Sequence, residues 1–324
     1  MDQVKHAPTW IVAVATAFLG AAAFGQDESK RILVLHPAGP SFDDAKKGIQ
    51  ETLGDGYDLK GLVVTKETSV EEVQKAWKEA APKVVVAMDN RGVALFKDAR
   101  VKMSDSVTPG VALMGVRIDA TIRDVQNVVG INYEIPAVTT IVNLRSLLSN
   151  PIKKIGVVHR ASMDDMIRKN AEFCAQENVE IVGIRVPDDA DAKSALNDAL
   201  KELTKRSDID VLLVINDNFF LNAKLVKEVW LPRLSGWKHP VVVGVESLVK
   251  PELKFGTFAV LPDNYALGAQ AAGLVQEIED AGWKVEDPKV DQPLSVIKTL
   301  NLRGMKSCCG VQQDKLGEVD KVLE

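Results

Sequence analysis

Two segments of the chain repeat one pattern, and this repeat constrains the fold more than any other feature of the sequence. Residues 31–48 and 153–170 each contain a short apolar run, a histidine, a small polar loop and a pair of aspartates that starts a helical pattern. The apolar runs, 32–35 and 155–158, are short and rich in β-branched residues, which is typical of parallel strands covered on both faces. A strand that leads into a helix N-terminus presents free backbone N–H groups. The repeat therefore predicts two similar α/β lobes whose loops face each other across a ligand-binding cleft.

Apolar runs and helical stripes alternate along the rest of the chain. In the first half they predict helices at 42–53, 69–80 and 135–148 and strands near 59–65, 84–88, 111–116 and 128–131. In the second half they predict strands at 154–158, 179–185, 210–215 and 241–245, helices at 163–177 and 222–230, a helix that carries Leu196, Ala199, Leu200 and Leu203, a strand within 294–302 and a short helical end. This alternation indicates an α/β fold with parallel sheets. A chain of 324 residues, 46% of them hydrophobic, is long enough for two such domains.

The first 25 residues are predicted to be a cleavable secretory signal peptide. Lys5 lies in a short polar start, an apolar stretch covers 10–18, and small residues fill 20–25 before Gln26. The apolar core is shorter than the roughly 20 residues that a bilayer span needs, although an uncleaved anchor is the alternative. A cut after Ala23 is the alternative to a cut before Gln26. Because no cysteine lies near either position, there is no lipobox and we expect a periplasmic protein.

The charge balance and the cysteines limit the partners of the chain. A formal net charge of −5 without clusters of lysine and arginine predicts no binding to nucleic acid or to an anionic membrane surface. Three cysteines leave at least one thiol unpaired. A disulfide from Cys174 to Cys308 or Cys309 is one interpretation; buried thiols that act as small apolar residues are the other, favoured one.

Signatures of common enzymes are missing. The sequence contains no G-x-G-x-x-G, G-x-x-x-x-G-K-[ST], G-x-S-x-G or H-E-x-x-H motif. His36 and His159 end the two repeated strands, and with Asp43 or Asp164 they form a conceivable metal site. A strand-end histidine bonded to the backbone is the commoner arrangement, and helix capping explains the paired aspartates. The motifs therefore predict no catalytic residue, metal or cofactor.

The loop that follows the strand at 210–215 is the strongest candidate for a ligand contact. It reads Asn-Asp-Asn-Phe-Phe over 216–220, so three polar side chains and two aromatic rings follow the carboxyl end of a strand. Such a combination is typical of a pocket for a small amphipathic molecule. We expect Asp217, Asn218 and Phe219 to contact the ligand, while one of the two phenylalanines packs in the core.

Residues 244–278 contain an acidic-Ser-Leu-Val run that begins at Glu246, then Asp263 and Tyr265, then a Leu-Gly-x-Gln-Ala helix. This segment is similar to the substrate-binding proteins of ABC transporters, in the family that contains binders of tryptophan and related amino acids. Residues 128–162 resemble the central crossing of that family, and residues 215–218 resemble its polar ligand loop. Residues 36–50 resemble its first ligand loop, and residues 299–311 resemble its closing strand.

The resemblance implies a type I periplasmic binding protein, in which two Rossmann-like lobes with parallel sheets are joined by three hinge segments. It places lobe 1 at 26–132 plus 263–295 and lobe 2 at 133–262 plus 296–324. The implied function is capture of a small, amino-acid-like ligand between the lobes for an ABC permease and its ATPase. It implies neither a reaction nor a cofactor. A ligand sensor for a chemoreceptor or kinase is one alternative, and an exported enzyme that uses His36, His159 and Asp217 is another.

Two departures from the family pattern lie where the ligand is expected. The loop after the third strand reads Asp89-Asn90-Arg91 instead of small residues, and Arg160 and Ala161 precede Ser162 instead of an Asn-Pro pair. Both departures concern the class of ligand and leave the expected fold unchanged.

The departures lead to an expected charge pattern for the ligand. Arg91, with the helix starts near Ser41 and Ser162, is predicted to accept a carboxylate. Asp217 and Glu246 are predicted to face an ammonium group. Phe42 with Phe219 or Phe220 is predicted to cover an apolar portion of the ligand. In the alternative, Arg91 pairs only with Asp89 or Asp119 on the surface. The predicted ligand-binding residues are Ser41, Phe42, Asp89, Arg91, Ser162, Asp217, Asn218, Phe219, Glu246 and Asp263.

Overall fold

The computed structural model describes residues 30–104 and 107–324, and the predicted signal peptide, residues 1–25, lies outside them. The first elements are β1 (Lys30–His36), α1 (Pro40–Leu53), β2 (Tyr57–Val63), α2 (Val70–Ala80), β3 (Val84–Met88), α3 (Asp89–Met103), β4 (Gly110–Leu113), α4 (Ile118–Thr121) and β5 (Val128–Ile131). The next are α5 (Ala137–Leu147), β6 (Lys154–Arg160), α6 (Asp164–Gln176), β7 (Glu180–Val186), α7 (Ala192–Leu203), β8 (Val211–Val214), α8 (Ala223–Leu225), α9 (Leu231–Leu234), β9 (Val241–Val243) and β10 (Phe258–Pro262). The last are α10 (Asn264–Asp280), β11 (Val290–Asp291), β12 (Val296–Asn301), α11 (Leu302–Cys308) and β13 (Lys321–Leu323).

The strands form two sheets. The first has the order β11-β5-β4-β3-β1-β2, and all its strands pair in parallel. The second has the order β13-β12-β10-β9-β8-β6-β7, and only β10 and β12 pair antiparallel. We call the first sheet with its helices lobe 1 and the second lobe 2. The predicted α/β fold with two largely parallel sheets is confirmed.

The chain crosses between the lobes three times. It leaves lobe 1 after β5, returns after β10, and crosses again between β11 and β12. Each lobe is therefore built from separate parts of the sequence, as the resemblance implies. The exact residue bounds of the lobes stay a prediction.

The inner strands of each sheet are buried on both faces, which explains the continuous apolar runs of the repeat. In β1, Ile32 and Val34 pack into one core cluster of lobe 1, whereas Leu33 and Leu35 pack into the other. Successive side chains of a strand point to opposite faces, so a sheet covered by helices on both sides requires apolar residues at every position. Two further clusters cover the faces of the sheet in lobe 2 in the same way.

The helix α3 corrects one expectation. Asp89, Asn90 and Arg91 were expected to form a loop, but they form the first turn of α3 directly after β3. The helix buries Val93 and Phe96 together with other small and apolar residues. Its buried stripe starts only after the polar first turn, and for this reason the apolar pattern did not reveal where the helix begins.

The helices α1 and α10 pack against each other at unusually short range. A Cβ atom on Gly48 would lie 2.1 Å from the carbonyl oxygen of Tyr265, and one on Gly268 would lie 1.9 Å from that of Ala45. Both separations are far below van der Waals contact, so this contact requires glycine at both positions. The α1–α10 contact joins two parts of lobe 1 that are distant in sequence: the part before the first crossing and the part after the second crossing.

The histidines of the repeat have similar backbone surroundings, although Nδ1 of His159 also lies 3.4 Å from Oδ1 of Asp164. Nδ1 of His36 lies 2.9 Å from the carbonyl oxygen of Pro37, and Nδ1 of His159 lies 3.1 Å from that of Arg160. Each ring also lies beside a glycine of the neighbouring edge strand, Gly61 for His36 and Gly183 for His159. Within residues 30–104 and 107–324, no group of three or more His, Cys, Asp or Glu side chains is placed to hold a metal ion.

The three cysteines are all free thiols. Cys174 is buried in the core of lobe 2, and burial raises the pKa of its thiol to about 11. Cys308 and Cys309 are half-buried against the same core cluster. The structure therefore has neither disulfide that the sequence left open, and Cys174 acts as a small apolar residue.

No helix within the described part of the chain combines the length and the apolar character that crossing a bilayer requires.

Candidate functional site

The carboxyl ends of strands from both lobes meet at the crossings. β5 ends at Ile131 and β10 ends at Pro262, and a crossing follows each of them. Tyr133, in the first crossing, lies beside the ends of β8, β9 and β10, and its hydroxyl donates to Asn264 Oδ1 at 3.5 Å. In open α/β sheets, ligands bind outside the carboxyl ends of the strands. This meeting point is therefore the candidate site.

A cavity of about 70 Å³ lies at this point, mostly within lobe 2. Its wall is largely apolar and includes Met163, Met166, Ile167, Leu213, Val243 and Leu261. The polar residues of the wall are Tyr133, Glu134, Thr140, Asn170 and Asn216. A mainly apolar cavity with a few polar groups is the usual form of a small-molecule site.

Asn216 places an unpartnered oxygen in this cavity wall. Its Nδ2 donates to the carbonyl oxygen of Gly244 at 3.3 Å, while its Oδ1 is buried and has no hydrogen-bond partner among the described residues. A Cβ atom on residue 244 would lie 2.6 Å from that Oδ1, so glycine at this position allows the close approach. A buried polar atom without a partner is costly, and Asn216 Oδ1 is one of three such side-chain atoms among the described residues, with Trp237 Nε1 and Thr299 Oγ1.

Arg160 and Asp217 form a bidentate ion pair at the strand ends of lobe 2. The Nε atom of Arg160 donates to Oδ2 of Asp217 at 2.7 Å, and Nη2 donates to Oδ1 at 3.0 Å. The guanidinium carbon lies 5.0 Å from the ring centre of Phe219, whose backbone N–H donates to Asp217 Oδ1 at 3.1 Å. Hydrogen bonding to Asp217 raises the pKa of Arg160 above its ordinary value. The carboxylate that was expected to face an ammonium group thus already has a cationic partner.

The other predicted residues of lobe 2 also have partners. Ser162 donates through its backbone N–H and its hydroxyl to Asp188, at 3.0 and 2.7 Å. Glu246 forms an exposed salt bridge of 2.8 Å with Lys321. Asn218 is exposed and lines an adjoining apolar groove together with Asn216 and Asp217.

Asp263 has a capping role in the second crossing. It is the N-cap of α10, and its Oδ1 accepts from the backbone N–H of Ala266 at 3.2 Å. This capping arrangement explains the acidic residue at this position in the sequence.

The predicted residues of lobe 1 lie at the ends of its strands. Ser41 and Phe42 are in the first turn of α1, where the Phe42 ring packs against the core of the lobe. Nη2 of Arg91 donates to the carbonyl oxygens of Thr68 at 2.8 Å and of Lys66 at 3.4 Å. Arg91 therefore bonds to neither of the carboxylates, at 89 and 119, that the alternative interpretation assigned to it.

Three residues at the ends of β3 and β4 have left-handed backbone conformations. The φ angles are 66° at Asp89, 57° at Met114 and 55° at Arg117. Non-glycine residues adopt this conformation at an energetic cost, and they concentrate at binding and active sites. The strained positions lie on the cleft side of lobe 1, where its strands end.

The structure brings only part of the predicted site together. Ser162, Asp217 and Phe219 form one cluster around Arg160, because Arg160 also lies 3.6 Å from Asp188, the partner of Ser162. Among the described residues, no hydrogen bond or ion pair joins this cluster to the predicted residues of lobe 1. Tyr133, Glu134, Asn170 and Asn216 are not among the site residues predicted from the sequence. For Asn216 the signal was present, since it begins the polar loop that was selected.

A second cavity, of about 200 Å³, lies between the lobes at the first crossing. Lobe 1 contributes Arg117, Asp119 and Arg123, and α6 of lobe 2 contributes Lys169 and Phe173. An ion pair of 3.4 Å joins Lys169 to Asp119 across the two lobes. Residues on the two sides of this cavity belong to different lobes, so the distances between them change when the lobes move.

Glu134 forms part of the wall of both cavities. Its Oε1 accepts a hydrogen bond of 2.7 Å from the backbone N–H of Arg117, which ties the crossing to lobe 1. Burial raises the pKa of the Glu134 carboxyl above its ordinary value of 4.5, because the charged form is poorly solvated there.

The raised pKa of Glu134 predicts a specific pH dependence of stability. Between the pKa values of the unfolded and folded states, the folded protein binds more protons, so this residue makes the free energy of unfolding fall as pH rises. In Glu134→Gln we expect this contribution to vanish, with a difference in slope of at most about 1.4 kcal/mol per pH unit. Urea unfolding of both proteins from pH 4 to 8 measures it. If the free energy of unfolding depends on pH in the same way in both proteins, the pKa of Glu134 is not raised in the folded state.

No family model and no curated protein sequence matches the chain. Solved structures do match. A ligand-free, open substrate-binding protein with adhesive properties from Clostridium difficile is 16% identical, with a TM-score of 0.65 over 91% of this chain and 99% of that one. An ABC domain from Streptococcus pneumoniae in complex with L-Trp is 16% identical, with a TM-score of 0.56 over 91% and 100%. A periplasmic ribose ABC transporter protein from Conexibacter woesei is 15% identical, with a TM-score of 0.52 over 84% and 92%.

These similarities extend over 84–91% of the chain, at identities that carry information on the fold alone. The resemblance noted in the sequence is thus confirmed at the level of structure. The chain has the two-lobed α/β fold of ABC transporter substrate-binding proteins, the type I periplasmic binding fold.

Proposed function

We propose that the protein is an exported solute-binding protein that captures a small amphipathic molecule between its lobes. It delivers this ligand to an ABC permease that is driven by an ATPase, and it catalyses no reaction. The fold supports this proposal because the three similar structures are, by their descriptions, binding or transport proteins. The predicted signal peptide and periplasmic location belong to the same proposal.

The observation that carries the proposal is the unpartnered Oδ1 of Asn216 in an apolar cavity at the junction of the lobes. An unpartnered acceptor in such a place is explained by a ligand that supplies a hydrogen-bond donor. The remaining polar atoms of the Arg160 cluster already satisfy one another.

The cavity also indicates what kind of ligand fits. The cavity suits an apolar group better than a sugar, because its wall is largely apolar. An amino-acid-like molecule meets both requirements, with an N–H donor for Asn216 and an apolar side chain for the cavity.

Arg91 remains the candidate for the ligand carboxylate. Its guanidinium bonds to two backbone carbonyl oxygens, and it takes part in none of the salt bridges among the described residues. A full positive charge that no carboxylate neutralises favours an anion on the ligand. Asp217 and Glu246 can bind a ligand ammonium group only in competition with Arg160 and Lys321.

Ligand capture requires that the lobes close. A ligand held by both lobes binds the closed form more tightly and therefore shifts the population toward it. The three crossings are the hinge, and the Asp119–Lys169 ion pair is one contact that closure changes.

Mass spectrometry of molecules that co-purify with the native protein identifies the ligand directly. Thermal-shift screening of amino acids, simple amines, carboxylates and sugars provides the independent test. A ligand at about 100 times its Kd adds about 2.7 kcal/mol to the free energy of unfolding, which is readily detected. If only sugars stabilise the protein, the proposed ligand class is wrong.

Replacing Asn216 tests the site itself. We expect Asn216→Ala to weaken ligand binding by about tenfold or more, since one hydrogen bond in a buried site is worth about 1–3 kcal/mol. The free energy of unfolding without ligand should change by less than about 1 kcal/mol, because the loss of the long Nδ2 hydrogen bond to Gly244 is offset by removal of the unpartnered Oδ1. Isothermal titration calorimetry and urea unfolding measure the two quantities.

The matched control is Asn218→Ala, an exposed asparagine of the same loop that lies outside the cavity wall, so this proposal does not retain the ligand contact predicted for it from the sequence. It should bind ligand within about twofold of wild type. Equal losses of affinity in both variants would show that the loop, and not the buried oxygen of Asn216, determines binding. An Asn216→Ala variant with wild-type affinity would refute the site.

A further inference from the structure

Two adjacent thiols lie at the end of α11, outside the candidate site. The Sγ atoms of Cys308 and Cys309 are 3.0 Å apart, and both residues are half-buried. Cys308 Sγ also lies 3.3 Å from the carbonyl oxygen of Met305, to which the backbone N–H of Cys309 donates at 2.9 Å. Both sulfur atoms therefore lie together at the edge of lobe 2.

The backbone on both sides of the pair is fixed. Cys308 is the last helical residue of α11, while Cys309 is extended, with φ −148° and ψ 157°. After the pair, the carbonyl oxygen of Gly310 accepts from Ser149 N–H, and Val311 forms an isolated β-bridge with Leu148. The change from helical to extended backbone between the two cysteines directs both side chains to the same side. The fold thus pre-organises the pair.

The surroundings define what this pair can bind. No group of three or more His, Cys, Asp or Glu in the described ranges can hold a metal, so the pair offers two sulfur ligands and no third side chain. Structural zinc sites and iron–sulfur clusters need more protein ligands. The two thiols fit an atom that binds two sulfur ligands at a narrow angle. Its third ligand must already be attached to it, because the protein supplies none.

The thiols also differ in reactivity. The hydrogen bond between the two sulfur atoms lowers the pKa of Cys309 and raises that of Cys308. Cys309 is therefore the better nucleophile of the two, since the thiolate is the reactive form. Cys174, by contrast, is buried and its pKa is raised.

We propose that Cys308 and Cys309 form a bidentate binding site for trivalent arsenicals, which bond to two thiols held side by side. With phenylarsine oxide, two As–S bonds form, the arsenic–oxygen bond is lost, and the oxygen leaves as water with the two thiol protons. Arsenic stays trivalent, so the step needs no oxidant or reductant. The proposal is independent of the function of the cleft.

The test uses native, reduced, full-length protein and phenylarsine oxide as the probe. Intact mass spectrometry should show one phenylarsenic group per chain. Cys308→Ser and Cys309→Ser should each bind at least about 100-fold more weakly, because a single thiol cannot form the second, intramolecular As–S bond. Cys174→Ser should bind like wild type.

Reversal of the wild-type adduct needs no variant and so does not depend on how the variants fold. The dithiol 2,3-dimercaptopropanol should remove the arsenical, while 2-mercaptoethanol at equal thiol concentration should not. Removal by both reagents alike would overturn the proposal, because it would indicate attachment through one sulfur. Wild-type protein that takes up no phenylarsenic, or single variants that bind as tightly as wild type, would also overturn it.

Discussion

Replacing Gly268 by alanine is expected to destabilise the protein by about 3 kcal/mol or more, the upper range for overpacking a close contact. A Cβ atom at this position would lie 1.9 Å from the carbonyl oxygen of Ala45 and 2.7 Å from its carbonyl carbon. These are backbone atoms of α1, so they cannot rotate away as a side chain would. The helices α1 and α10 would have to separate, which would expose parts of Ile49 and Leu267 in the core of lobe 1.

Gly273, on the same helix, is the matched control. A Cβ atom there meets no other atom within 4 Å, so alanine adds no clash and removes the entropic cost of a helical glycine. We expect Gly273→Ala to stabilise the protein by about 0.5–1 kcal/mol. Urea unfolding measures both changes in the free energy of unfolding, and we expect the m-values of the variants to equal that of wild type. A Gly268→Ala variant that unfolds at the same urea concentration as wild type would show that the helices separate without cost.

The repeat made the sheets predictable, and the reason lies in β1 and β6. The central residues of both strands are covered on both faces, so these positions must be apolar and the strands stand out as continuous runs. The alternation of such runs with helical stripes was then sufficient for two parallel sheets. The three crossings entered through the resemblance and not through periodicity.

The start of α3 and the packing of α1 on α10 were not predictable in the same way. The first turn of α3 is polar and begins at Asp89 in a left-handed conformation, for which the sequence has no signal. Gly48 and Gly268 are more than two hundred residues apart in sequence. Nothing local shows that the backbone of one helix touches the other at these points.

The candidate site shows the same limit more clearly. The polar loop at 216–220 was recognised from its composition, but composition does not give partners. Arg160 pairs with Asp217 from 57 residues earlier in the chain, and Lys321 pairs with Glu246 from 75 residues later. Charges that look free in the sequence are therefore already paired in the fold, and a buried oxygen such as that of Asn216 becomes visible only in three dimensions.

Asp217→Ala is expected to destabilise the protein by about 2–3 kcal/mol. The Asp217 side chain is 4% exposed and that of Arg160 is 26% exposed, so the variant leaves a partly buried guanidinium without its partner. Breaking a fully buried pair costs about 3–5 kcal/mol, and the partial exposure of Arg160 reduces this value. The variant also removes the acceptor for the Phe219 N–H and the support for the stacked Arg160 side chain.

The Glu246–Lys321 pair provides the control, because it has nearly the same distance, 2.8 Å, but lies at the surface of the same lobe. Lys321→Ala should cost less than about 1 kcal/mol, as exposed ion pairs usually do. The double variant of Arg160 and Asp217, compared with both single alanine variants by urea unfolding, then isolates the interaction energy of the pair. Because Arg160 occupies the carboxylate of Asp217, Arg160→Ala should also tighten binding of any ligand whose ammonium group uses that carboxylate. If Asp217→Ala costs no more than Lys321→Ala, burial does not strengthen this pair.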